Sequence, residues 1–244
     1  MTMTTSIDNA QRTAAKVAGI AGILGFILVV FGNYVLLDPL IVPRNAVETA
    51  HNILAHQTQF RFALVCFITY DVGGIVLLTS LYVIFVPVNR GLALAGALFR
   101  LVFVMLWLAA PLNSLGAVRL LGNSSYLQVV GPEALQAFAR AQIAASFDDY
   151  YVGLPFFGLG ATVCAWLWLK SNYIPRGLSL FGVIASAWCV LCAFVYLIFP
   201  DFNKIVNAYI FDSPMALFEL LVSFWLLFKG LKPVASVQAQ TGVV

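Results

Sequence analysis

Six stretches of this sequence run for about twenty residues or more as almost unbroken apolar chain, and few folds can use them. They cover roughly residues 17–37, 60–86, 92–112, 147–169, 178–199 and 213–231. A bilayer's hydrocarbon core is about 30 Å thick, so a helix rising 1.5 Å per residue needs about 20 apolar residues to cross it. Inside lipid every backbone N–H and C=O must be paired within the segment, which makes each such stretch a helix. The expected fold is all-α: one integral membrane domain over residues 1–244, a polytopic transmembrane helical bundle of six spans. Charged residues are 9% of the chain, where soluble domains carry about a quarter. With a mean hydropathy of +0.96, this excludes an ordinary soluble protein, a disordered chain and a disulfide-stapled secreted scaffold. Pro87 and Gly91, Pro175 and Gly177, and Pro200 and Pro214 punctuate the connections.

The first stretch lacks a small-residue cleavage site and reads as a retained span. With the amino terminus inside, Arg12, Lys16, Arg90, Lys170, Arg176, Lys229 and Lys232 lie on the inner side, against Arg44, Arg61, Arg119, Arg140 and Lys204 outside. That bias predicts a multi-pass protein of the cell membrane with both termini cytoplasmic. Residues 45–59 and 132–145 are too long for turns, and both are expected to form helices lying along the outer interface. Small residues recur four apart as Ala18 with Gly22 and Ala21 with Gly25, a spacing that lets helix backbones approach closely, within the chain or in a homo-oligomer. Cys66, Cys164, Cys189 and Cys192 all fall in apolar runs and read as core residues.

The stretch PVNRGLALAGALFRL, residues 87–101, resembles the signature of a family of bacterial multi-pass membrane proteins known as a domain of unknown function. IVPRNAVETAHNILAHQTQFR (41–61), DDYYVGLPFFGLG (148–160) and SNYIPRGLSLFGV (171–183) are similar to its outer segment, fourth span and following loop. The resemblance covers most of the chain in order. It implies the membrane fold and carries no reaction.

An ionisable group near mid-bilayer costs about 2.5–3.5 kcal/mol on insertion scales, so each invites a functional or partner assignment. Three qualify: Asp71, Arg100 and Glu219. Counting 1.5 Å per residue, Arg100 and Glu219 lie about 13 and 15 Å from the inner ends of their spans, while Asp71 lies about 22 Å from its own. Arg100 is therefore expected to be shared between Glu219 and Asp71, with Glu219 the better match in depth. Such a group either fixes helix register as a buried ion pair or, with one acid in excess, supplies a carboxyl for proton exchange in an apolar site.

A second polar concentration sits at the outer ends of the spans. Asn33, Tyr34, Asp38, Arg61, Asn113, Asp148, Asp149, Tyr150 and Tyr151 all fall there, with His51 and His56 on the adjoining outer segment. Position at the interface accounts for such residues. The sharper reading makes them the mouth of a pocket floored by Asp71, Arg100 and Glu219, with Asp148, Asp149, Tyr150, Asn113 and Arg61 meeting the substrate.

Metal binding has little support. His51 and His56 are about 140° apart around a helix, and no HExxH pattern occurs. No nucleotide loop, mid-span Schiff-base lysine or nucleic-acid patch is present in the sequence, and no cofactor is implied. Asn123, Ser124 and Ser125 form a glycosylation sequon. Three readings stay open. The leading one is a membrane-embedded acid–base enzyme acting on an apolar, terpenoid or lipid-like molecule in a pocket within the bundle. By analogy alone it is similar to small integral membrane terpene cyclases. The others are a proton-coupled or small-solute transporter and a non-catalytic subunit or sensor. The expected partners are the lipid bilayer, an apolar small molecule and a second copy of the chain.

Overall fold

The computed structural model describes residues 7–43, 45–122 and 129–232. Arg44 and the Asn123–Ser125 sequon lie outside these residues. Among the described residues the regular structure is helical throughout. Helix α1 (Asn9–Val30) continues through a π-helical segment, Phe31–Leu37, and a 3₁₀ turn, Asp38–Leu40. A short helix α2 (Ala46–Ala55) precedes α3 (Gln57–Phe85), α4 (Arg90–Leu121), α5 (Pro132–Ser171) and α6 (Arg176–Ile198); a short α7 (Ala208–Phe211) then leads into α8 (Ser213–Phe228).

Local chemistry sets the starts and stops. Asp8 caps α1, accepting from the Gln11 backbone N–H at 2.7 Å while Gln11 reaches back to the Asp8 N–H. Asn45 caps α2 and Asn89 caps α4 in the same way. Asn172 ends α5 in the left-handed conformation, φ 54°, which asparagine tolerates better than most residues.

Among the described residues five helical segments are long and apolar enough to cross a membrane: Asn9–Leu40, Gln57–Phe85, Arg90–Leu121, Pro132–Ser171 and Arg176–Ile198. The last apolar segment, expected to span 213–231, forms a helix of 16 residues, about 24 Å long at the usual rise. Residues 132–145 also depart from expectation. They form no separate interfacial helix but the first third of α5, which is 40 residues long. No proline or glycine lies between Pro132 and Gly153, and the intervening Ala, Leu and Gln are good helix formers, so nothing stops the helix at the membrane boundary.

The long helices close into a ring. α1 packs on α3, α3 on α4, α4 on α5, α5 on α6, α6 on α8 and α8 back on α1. The predicted small-residue face of α1 is spent inside the chain. A Cβ placed on Gly22 would stand 2.0 Å from Ser223 Oγ of α8, and one on Gly19 2.8 Å from the Leu227 backbone nitrogen. Only glycine admits so close an approach. At the end where α1 begins one buried cluster joins Ala14, Ala15 and Ala18 of α1 to Ile84, Trp168, Phe218 and Leu226. Buried Gln11 fastens this end by donating to the Ile84 carbonyl at 3.0 Å and to the Tyr173 hydroxyl at 3.3 Å. The four cysteines are free, three of them buried, as packing residues.

Candidate functional site

Towards the end where α3 begins the ring does not fill with side chains. Between α1, α3, α4, α5 and α8 lies a cavity of about 680 Å³, reaching from Ala21, Leu77, Arg100 and Ser223 at one limit to Asp38, Ser114, Ser146 and Asp212 at the other. Its wall is mainly apolar and aromatic. Trp107 stands at the centre of the aromatic lining, in edge contact with Phe67, Tyr70 and Tyr150 at centroid separations of 6.1, 6.0 and 5.1 Å. Phe103 lies against Phe157 at 4.6 Å.

Two polar pairs interrupt that wall. At one end Arg100 of α4 donates from Nη2 to Glu219 Oε1 of α8 in an ion pair whose arginine is buried and whose glutamate is half-buried. Arg100 is 4% exposed, and its guanidinium carbon lies 5.3 Å from the Phe157 ring centroid, a cation–π contact. Its stem has room because a Cβ on Gly160 would stand 2.9 Å from Arg100 Cγ. At the opposite end the Tyr150 hydroxyl donates to Asp212 Oδ2. Asp212 sits in the turn before α8; burial pushes its carboxyl up from the usual range, against the opposing effect of the Tyr150 donation. Asp212 and Glu219 are seven residues apart, nearly two helical turns or about 10 Å of rise along α8, and both residues line the cavity. Two buried donors in the wall, Arg100 Nε and Trp107 Nε1, have no hydrogen-bond partner among the described residues.

The expected pairing of Arg100 with Glu219 is present; its sharing with Asp71 is not. Asp71 is 3% exposed, neither carboxylate oxygen has a partner among the described residues, and it lies off the cavity wall although its neighbour Tyr70 is on it. Depth along the span placed Asp71 higher than Arg100, and the turn of α3 directs it away from the lining.

Of the residues expected to meet a substrate, Tyr150 lines the cavity. Asn113 donates to Asp149 at 2.7 Å, one residue away from the lining positions Ser114 and Tyr150 but outside the wall. Asp148 is exposed. Arg61 belongs to a separate recess between α3 and α4. Asn33, Tyr34, Asp38 and Tyr151 do line the mouth. Asp212, Tyr70 and Trp107 also line the cavity, and sequence reasoning did not single them out. The aromatics carry no signal that separates wall from core.

Residues 17–230 match the family model described as Domain of unknown function (DUF4386), and the chain belongs to that family. No curated protein and no solved structure matches it.

Proposed function

We propose that this member of the family is a membrane-embedded acid–base enzyme that takes an apolar, terpenoid or lipid-like molecule into the cavity between α1, α3, α4, α5 and α8. The observation that carries the reading is the cavity itself. It is of ligand size, it is walled by aromatics, and it presents two carboxyls held by different partners. Environments that set two titratable groups apart are how an acid and a base are assigned within one site.

Asp212, whose burial favours the protonated form, is the acid that delivers a proton to an alkene or epoxide. Glu219, ion-paired to Arg100, is the base that removes one at the other end of the molecule. One proton in and one out gives an isomerised or cyclised product with no cofactor. The aromatic wall stabilises cationic character developing between the two carboxyls.

In this reading both termini face the cytoplasm and the cavity opens towards the outer side. A transport role has less support, because the cavity ends at the packed inner cluster around Ala18 and Phe218. Extraction of the protein purified from membranes, followed by mass spectrometry, tests ligand occupancy. Wild-type protein carries a defined apolar molecule, and Ala216→Trp, which fills the cavity from α8, loses it. The same extract from both proteins would refute the site.

A further inference from the structure

A second concavity, independent of the enzyme reading, lies on the outside of the ring where α3 begins and α4 ends. It has a volume of about 390 Å³ and is bounded by Gln57, Arg61, Leu115, Val118, Arg119 and Gly122. Both arginines are exposed. Neither has a carboxylate or other hydrogen-bond partner among the described residues, where the ion pairs are Arg100 with Glu219 and Lys204 with Asp201. Two unpaired guanidiniums converging on one recess, with the Gln57 amide beside them, match the oxygens of a phosphate.

What lies below the recess identifies the rest of the ligand. Continuing down α3 from Arg61 at helical spacing come Val65, Ile68, Val72 and Ile75, all exposed. Continuing down α4 from Leu115 come Leu112, Leu108 and Met105; Leu112 and Met105 are 63% and 65% exposed. The helices are packed neighbours, so two apolar stripes flank one furrow and both start beneath the arginines. We infer that this furrow is a binding site for one anionic phospholipid, its phosphate on Arg61 and Arg119 and its acyl chains along the α3 and α4 stripes. A free phosphate would use the recess alone and gain nothing from the stripes.

Native mass spectrometry of the purified full chain in detergent micelles, titrated with phosphatidylglycerol, phosphatidylcholine or inorganic phosphate, tests this. One phosphatidylglycerol binds saturably, phosphatidylcholine binds about tenfold or more weakly, and millimolar inorganic phosphate does not displace the lipid. Arg61→Gln and Arg119→Gln each weaken phosphatidylglycerol by about tenfold, while the double Arg→Lys variant, which keeps the charge and loses the fork, falls between. The inference is overturned if the double Gln variant binds phosphatidylglycerol as wild type does. It is equally overturned if phosphatidylcholine binds equally well, or if inorganic phosphate competes at the lipid's own concentration, which would make the recess a free-anion site.

Discussion

Arg100 and Glu219 pair across the middle of the bundle, joining α4 to α8, which stand opposite each other in the six-helix ring with α5 and α6 between them on one side and α3 and α1 on the other. The bond therefore crosses the cavity floor and ties together two helices that are not neighbours in the ring.

Removing one partner strands the other charge in an apolar setting. Arg100→Met and Glu219→Leu each cost about 3–5 kcal/mol, whereas the double variant returns close to wild-type stability. Chemical unfolding in detergent of the four proteins gives the comparison. The double variant separates the two roles of the pair, since it is expected to be stable and inactive.

Gly22 and Ser223 meet where α1 crosses α8. A methyl group at Gly22 would overlap Ser223 Oγ, so Gly22→Ala is expected to destabilise by about 1–3 kcal/mol as an overpacked interface. Ser223→Gly in the same chain recovers most of that loss. Additive effects in a thermal-unfolding cycle would contradict the close approach.

Asp212 predicts a pH signature. Burial raises its carboxyl above the ordinary value of 3.8, so the protein binds this proton more tightly folded than unfolded. Its contribution to stability is complete below about pH 3.8 and is lost as the pH rises through the folded-state value. Asp212→Asn flattens that part of the stability profile. Tyr150→Phe removes the donor that favours the carboxylate and moves the loss to higher pH. Melting temperature against pH for the three proteins reads both effects, and identical profiles would refute the assignment.

Five of the six expected spans were legible because a bilayer imposes a length that can be counted off, whereas the sixth, 213–231, forms a shorter helix of 16 residues; the pairing of Arg100 with Glu219 was legible because depth follows from residue number along a straight helix. Rotation about the helix axis was not. It decides that Asp71 leaves the cavity wall while Tyr70 joins it, and it depends on how α3 packs against its neighbours. The bond from Tyr150 to Asp212 joins residues 62 apart, and only the closing of the ring brings them together. The extension of α5 was foreseeable in principle, since its sequence carries no stop signal before Gly153. The hydropathy change near Phe147 marks a membrane boundary and leaves the backbone unbroken.

The acid–base chemistry proposed for Asp212 and Glu219 is most directly tested by isotope labelling. Purified protein, reconstituted with an apolar-metabolite extract of its source membranes in deuterium oxide, is analysed by mass spectrometry for deuterium fixed at carbon. Wild-type protein is expected to label one apolar compound, and Glu219→Gln and Asp212→Asn to lose that labelling while remaining folded. Equal labelling by wild type and both variants, or none by wild type, would contradict the enzyme.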